Sequence, residues 1–244
     1  GLYVHQAEAL RRLATGANVC MTTATASGKS AVFYGRGLDV LDGDPQATVL
    51  ALYPTRALVA EQQQRWEQAL RLAGIGVRHW PLSGRQRRPP GELVARLDGS
   101  VSGQRRLGSL ACCAVAVATP DVVHAWLLSH VTEREVLEFL RHLRLVVVDE
   151  VHQYTGVFGS NAAFLFRRLR HILHTVGGGE PQFIAASATV AAPQRHLDDL
   201  FGVSFELVGP EFDGSALHPK AIHLVTPPSG MDLLTSVSEL IHVL

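Results

Sequence analysis

Five short apolar segments recur along the chain, and they constrain its fold more than any other feature of the sequence. Their residues do not alternate between polar and apolar, which is typical of strands that are covered on both faces. Helical patterns separate them, such as the apolar stripe between Ala162 and Val176. This alternation predicts an α/β fold in which helices cover both faces of a parallel β-sheet. The five segments are residues 19–22, 48–53, 114–118, 145–148 and 183–186.

The composition limits the partners and the compartment that we expect for this chain. Its 22 Lys and Arg residues balance 22 Asp and Glu residues, so a surface that binds nucleic acid must be local. The three cysteines lack the spacing of a zinc site and favour a reducing compartment, so we expect a cytoplasmic protein. No apolar segment reaches the roughly 18 residues of a membrane span, and we expect no membrane partner.

The first apolar segment runs into Thr-Ala-Thr-Ala-Ser-Gly-Lys-Ser, residues 23–30, and a helical pattern follows at once. This is the placement of a phosphate-binding loop, whose backbone N–H groups and helix N-terminus face phosphates. Lys29 can reach the β and γ phosphates of ATP, and the Ser30 hydroxyl can bind Mg²⁺. Thr23 replaces the first glycine of the general pattern, and Gly-Lys-Ser alone is common by chance. The predicted phosphate-binding residues are Thr25, Ala26, Ser27, Gly28, Lys29 and Ser30.

A second motif, Asp149-Glu150-Val151-His152, directly follows the apolar segment 145–148. The carboxyl ends of parallel strands line one ligand crevice, so these carboxylates should arrive beside the phosphate loop. We expect Asp149 to hold Mg²⁺, largely through water, and Glu150 to orient and deprotonate the attacking water. The alternative is that both residues merely cap the next element.

Four further motifs complete an ordered set that resembles the motifs of superfamily 2 helicases. Residues 2–6 resemble the Q motif, 53–58 motif Ia, 118–121 motif Ib, and 187–189 motif III. The set implies the N-terminal RecA-like domain of a DExH-box helicase, which has a P-loop NTPase fold.

The resemblance also implies a role for each matching residue. Gln6 and Tyr3 would lie at the adenine base, and His152 would link hydrolysis to motif III. The alternative for motifs Ia and Ib is that Thr55 and Thr119 are simple helix caps. Residues implied to contact nucleic acid are Thr55, Arg56, Thr119, Pro120 and Asp121; those implied in coupling are Ser187, Ala188 and Thr189.

Within the superfamily, the local sequences resemble bacterial DEVH-box DNA helicases of the mitomycin repair factor type, which are related to fungal RecQ4-like helicases. The matching stretches are 23–30, 149–161 and 181–189. This resemblance implies an ATP- and Mg²⁺-dependent motor that moves along single-stranded or tailed DNA, 3′ to 5′, in DNA repair. Ser83-Gly84 stands where that group often has an acidic residue followed by glycine.

We expect residues 1–226 to form the ATP-binding domain. Residues 227–244 are expected to be a linker and the start of a second RecA-like domain that is absent here, so the chain alone should be weakly active. The Arg-rich segment 81–110 is expected to be mostly loop, with one helix near Glu92–Leu97. Three alternatives remain: an RNA helicase or double-strand translocase, a P-loop small-molecule kinase, and a non-catalytic scaffold.

Overall fold

The computed structural model describes residues 1–24, 27–75, 93–188, 192–215 and 235. The chain divides into two compact units, Gly1–Gly214 and Ser215–Leu244, and every helix and strand described below belongs to the first. The predicted domain boundary after residue 226 lies outside the described residues and stays a prediction. No helix in the described part of the chain is both long and apolar enough to span a membrane.

Within the described residues, seven strands form one sheet whose strand pairs are all parallel. The strand order is β3-β4-β2-β5-β6-β1-β7, so β5 and β6 lie between β2 and β1. The strands are β1 (Val19–Met21), β2 (Thr48–Leu52), β3 (Val94–Leu97), β4 (Val115–Ala118), β5 (Leu143–Val148), β6 (Gln182–Ala186) and β7 (Glu206–Val208).

Eight α-helices accompany the sheet in the same described ranges, and short 3₁₀ turns follow β5 and β7 at Val151–Gln153 and Pro210–Phe212. The helices are α1 (Val4–Ala14), α2 (Ser30–Gly43), α3 (Arg56–Leu72), α4 (Gly103–Leu110), α5 (Pro120–Ala125), α6 (Arg134–Arg141), α7 (Gly156–Thr175) and α8 (Pro193–Phe201).

Two buried apolar cores lie on the two faces of the sheet. Side chains of α1, α2 and α3 belong to one core, and side chains of α4 to α8 belong to the other. Successive strand residues alternate between the cores: Val147 faces the first, whereas Val146 and Val148 face the second. This arrangement explains why the central strands are mainly apolar on both faces, and it confirms the predicted α/β fold with helices on both faces.

The sequence-based assignment of the segment near Glu92–Leu97 is wrong. Val94–Leu97 is a strand that pairs in parallel with β4. Three of its four side chains are buried, as expected of a strand with helices on both faces of the sheet. A segment of four residues is too short for its periodicity to distinguish a helix from a strand, so only the pairing decides. Residues 103–110, predicted as loop, form helix α4.

Because all strands run parallel, their carboxyl ends share one edge of the sheet. The segments after β1, β5 and β6 carry the phosphate loop, the Asp-Glu-Val-His motif and motif III, and the order β5-β6-β1 places them side by side. Such an edge is where ligands bind in open parallel sheets.

Candidate active site

The phosphate loop leaves β1 and ends in the N-terminus of α2. Gly28 has a φ of +78°, which favours glycine, and a Cβ there would also lie 2.8 Å from the amide nitrogen of Gln6. The hydroxyls of Thr23 and Ser27 lie 2.8 Å apart and close the loop. Thr23, the departure from the general pattern, is therefore part of the loop's internal bonding. The predicted residues Thr25 and Ala26 lie outside the described residues.

Lys29 lies inside this loop. Its Nζ donates to the carbonyl oxygens of Thr23 and Ala24 at 2.9 and 2.8 Å. Burial lowers the pKa of Lys29, and the nearby charges of Glu150 and Asp149 oppose that effect. The ammonium group is thus held at the start of α2, whose first residue is Ser30.

Asp149 and Glu150 follow β5 directly. The backbone N–H of Asp149 donates to the Leu52 carbonyl at 3.0 Å, so the β-ladder extends up to the motif. Burial, with a smaller contribution from the adjacent Glu150 charge, raises the pKa of Asp149 to about 6, against a hydrogen bond from the Glu150 backbone N–H that lowers it. Burial disfavours the ionised form of this carboxyl, and a bound cation would stabilise that form.

Glu150 adopts a left-handed backbone conformation, with φ 53° and ψ 45°. Such a conformation costs a non-glycine residue roughly 1–3 kcal/mol and clusters at functional sites. The turn leaves the Glu150 carboxylate about one-third exposed. The strained backbone therefore presents the predicted general base to the crevice.

His152 connects this motif to motif III. The backbone N–H of Ala188 donates to its Nδ1 at 3.2 Å, and a Glu150 carboxylate oxygen lies 3.2 Å from the same atom. Since Nδ1 accepts from Ala188 only when it carries no proton, protonation of Nδ1 would exchange that bond for one to Glu150. Ser187 is buried, and its hydroxyl has no hydrogen-bond partner among the described residues. Thr189, the third coupling residue, lies outside them.

Gln6 joins the N-terminus of α1 to the phosphate loop. Its side-chain oxygen accepts from the Tyr3 backbone N–H at 3.0 Å, and its amide nitrogen donates to the Gly28 carbonyl at 2.9 Å. Tyr3 is half-exposed, and its ring stacks on His5 at 5.8 Å. The structure thus brings the Q motif to the loop, while the contact of Gln6 and Tyr3 with adenine stays a prediction.

The residues predicted to contact nucleic acid lie after β2 and β4. Thr55 caps α3 by accepting from the Leu58 backbone N–H at 3.3 Å, and Arg56 and Asp121 are exposed. Thr119 and Pro120 are buried at the start of α5, where they shape the turn. The two motifs therefore differ, because motif Ib exposes only its last residue, Asp121, to solvent.

The polar loop after β3, residues 98–100, contains candidate site residues that the sequence analysis did not name. Asp98 is buried and accepts from Arg96 and from the Ser100 backbone N–H, at 2.6 and 2.8 Å. Burial raises the pKa of Asp98, but the hydrogen bonds from Ser100 and Arg96 outweigh it and lower the pKa below 3.8. The Arg56 guanidinium lies against Gly99, where a Cβ would be 2.5 Å from it.

This loop contains an acidic residue followed by glycine, Asp98-Gly99, the pair that similar helicases often have where Ser83-Gly84 stands. The sequence Asp-Gly-Ser after the mainly apolar residues 93–97 is a turn signal that could have located it. Ser83 and Gly84 lie outside the described residues.

Comparison with known proteins decides the family. The model of the DEAD/DEAH box helicase family matches residues 3–197, which is most of the chain and includes nearly all the motifs above. The chain belongs to the DEAD/DEAH box helicase family. The resemblance predicted from the ordered motifs is thereby confirmed, and the small-molecule kinase loses its support.

Three relatives illustrate the match of this helicase domain. ATP-dependent helicase HRQ1 of Saccharomyces cerevisiae is 34% identical over 93% of the chain and 20% of its own length. YprA of Bacillus subtilis, named an uncharacterized ATP-dependent helicase, is 30% identical over 85% of the chain and 25% of its length. A crystal structure of the DUF1998 helicase MrfA with DNA and AMPPNP is 29% identical, covers 88% of the chain and 27% of MrfA, and has a TM-score of 0.75.

These matches also show that the chain spans about a quarter of the length of such helicases. The TM-score supports the RecA-like fold of the domain, and the motifs fall within the matched part. These relatives are therefore several times longer than the part of them that the chain matches.

Proposed function

We propose that this chain is the ATP-binding RecA-like domain of a DNA helicase that couples Mg-ATP hydrolysis to movement along single-stranded DNA. The observation that carries the proposal is the convergence of Lys29, Asp149, Glu150 and the His152–Ala188 hydrogen bond at one edge of the sheet. The proposed motor runs 3′ to 5′ and serves DNA repair.

The residues at this edge fit ATP and Mg²⁺. The backbone of residues 27–29 and the N-terminus of α2 suit phosphate oxygens, and Lys29 would exchange its two carbonyl partners for them. The Ser30 hydroxyl and the Asp149 carboxylate are oxygen donors of the kind that Mg²⁺ prefers. Bound Mg²⁺ supplies charge neutralisation at the phosphates.

Glu150 then acts on water. Its exposed carboxylate is positioned to orient a water molecule and to accept its proton during attack on the γ phosphate. The proton moves to a carboxylate oxygen of Glu150, which lies 3.2 Å from Nδ1 of His152. A change of charge at Glu150 therefore acts on the histidine that also holds motif III.

A second RecA-like domain completes the proposed motor. In P-loop NTPases an arginine finger contributes about 10³–10⁵ in rate, and we propose that it comes from that domain. The domain boundary near residue 226 is part of this proposal. On its own, the chain is expected to bind Mg-ATP and to hydrolyse it slowly.

DNA is the proposed track because MrfA, one of the similar helicases, is described as bound to DNA and AMPPNP. Exposed Thr55, Arg56 and Asp121 line the rim after β2 and β4, where backbone contacts would be blind to sequence. Such contacts do not read the sugar, so RNA is the alternative that the experiment must separate.

Strand displacement by the full-length polypeptide tests the proposal. Duplexes with a 3′ tail, a 5′ tail or no tail are compared, each in DNA and in RNA, with Lys29→Ala as the inactive control. We expect ATP-dependent unwinding of DNA with a 3′ tail. Unwinding of RNA alone would support the RNA helicase, and unwinding of 5′-tailed DNA would reverse the proposed polarity.

A further inference from the structure

His5 is a fully buried histidine that lies outside the predicted site residues. It precedes Gln6 in α1, and its Nε2 lies 3.0 Å from the carbonyl oxygen of Ser27. Because a carbonyl oxygen can only accept, Nε2 must carry the proton. The imidazole therefore holds the second half of the phosphate loop by a buried hydrogen bond, one residue before the bond from Gln6 to Gly28.

Asp213 holds the first half of the same loop. One of its carboxylate oxygens accepts from the Ala24 backbone N–H at 3.0 Å. The other lies 3.8 Å from Nδ1 of His5, which has no hydrogen-bond partner among the described residues. The two side chains thus face each other behind the loop while each binds the loop backbone.

The fold brings Asp213 to this place from a position nearly 190 residues further along the chain. Strand β7 pairs in parallel with β1, and the Thr22 backbone N–H donates to the Val208 carbonyl at 2.9 Å. The 3₁₀ turn after β7 then packs on α1, where Phe212 lies 5.2 Å below the Arg12 guanidinium. The edge strand therefore serves to deliver the Asp213 carboxylate to the phosphate loop.

We propose that His5 and Asp213 are positioning residues that fix the phosphate-loop backbone at Ser27 and at Ala24 before the triphosphate binds. The inference rests on the proposed function, since it concerns how the same site binds ATP. Neither side chain needs to contact the nucleotide. Fixing the loop backbone in advance lowers the conformational entropy that binding would otherwise lose.

Equilibrium binding of a fluorescent ATP analogue with Mg²⁺ to the chain tests the inference. Four variants are compared: His5→Ala, His5→Gln, Asp213→Ala and Asp213→Asn. A backbone hydrogen bond contributes about 0.5–1.5 kcal/mol, so each alanine variant should raise Kd by about 2- to 12-fold. Gln at position 5 can still donate, and Asn at position 213 can still accept, so both should recover most of the affinity.

Matched controls separate a positioning role from general destabilisation. His130 also bonds a backbone carbonyl, at 2.8 Å to Trp126, and Asp44 also accepts a backbone N–H, at 2.8 Å from Gln46. His130→Ala and Asp44→Ala should leave Kd unchanged. A similar rise of Kd in these controls, or no recovery in the conservative variants, would overturn the inference.

Three further results complete the test. If the unmodified chain binds no better than Lys29→Ala, the proposed function fails. If it binds well and both alanine variants bind equally well, the inference alone fails. If thermal melting shows that His5→Ala does not fold, the pair of Asp213 variants decides the question.

Discussion

The backbone N–H of Ala188 donates to Nδ1 of His152 across 3.2 Å, which joins the end of β6 to the turn after β5. The same Nδ1 lies 3.2 Å from the Glu150 carboxylate. One atom thus faces both the predicted general base and motif III. A change at the ATP site can reach the segment after β6 through this single side chain.

His152→Ala is expected to uncouple hydrolysis from nucleic acid in the full-length protein. Loss of the hydrogen bond should reduce DNA-stimulated ATPase about 5- to 10-fold, because such bonds contribute about 1 kcal/mol, while the Kd for ATP stays unchanged. His152→Asn offers an oxygen near the position of Nδ1 and should recover part of the stimulation. Full stimulation in the alanine variant would show that this contact carries no coupling.

Asp149→Asn is expected to stabilise the chain at pH 8 without Mg²⁺ and to have little effect at pH 4. Burial raises the pKa of Asp149 to about 6 from 3.8. As the pH rises from 4, the unfolded state therefore loses this proton at a lower pH than the folded state does. The ionised carboxylate therefore destabilises the fold above pH 6, and this cost disappears as the pH falls toward 4. At ~1.4 kcal/mol per pH unit, the difference is roughly 3 kcal/mol.

Urea unfolding of both proteins at the two pH values measures this effect. Equal unfolding free energies at pH 8 would mean that the crevice does not penalise the Asp149 charge. The stabilised variant should nevertheless lose hydrolysis, because the amide cannot replace the carboxylate toward Mg²⁺.

Gly159→Ala is expected to destabilise the domain. Gly159 is buried in α7, and a Cβ there would overlap the backbone carbonyl of Tyr154, which cannot move without shifting the turn after the Asp-Glu-Val-His motif. Overpacking of this kind costs about 1–3 kcal/mol. Gly108→Ala in α4 is the matched control: nothing lies within 4 Å of its Cβ, so it should gain up to about 1 kcal/mol. Thermal melting that ranked the two variants in the opposite order would contradict this packing.

Arg56→Ala is expected to weaken the binding of single-stranded DNA equally for all sequences. Arg56 is exposed at the first turn of α3, on the rim where a phosphate contact is proposed. Removing one such contact should reduce the slope of log K against log salt by about 0.7. Arg71→Ala, exposed at the other end of the same helix, should leave both affinity and slope unchanged. A loss confined to certain sequences would instead indicate base readout.

The sequence predicted the strands correctly where both faces of the strand are buried. The apolar segments around Val19, Leu50, Val117, Val147 and Ile184 are strands, because each crosses the middle of the sheet and meets a core on either side. The site motifs follow these strands directly. Parallel pairing alone then places them at one edge, without knowledge of any side-chain contact.

The edges of the sheet and the long-range bonds could not be predicted in the same way. Val94–Leu97 is too short for its period to be read, and β7 has an exposed first residue, Glu206. The bond from Ala24 to Asp213 depends on the pairing of β7 with β1, which no local pattern reports. The left-handed backbone of Glu150 is likewise imposed by its surroundings, because a glutamate has no preference for it.

ATP hydrolysis by the full-length protein tests the central claim most directly. The rate is measured without nucleic acid, with single-stranded DNA and with single-stranded RNA, and Lys29→Ala and Glu150→Gln serve as blanks. We predict strong stimulation by DNA that both substitutions abolish, with ATP binding retained in Glu150→Gln. A rate that neither nucleic acid changes would contradict the assignment of this domain to a nucleic-acid motor.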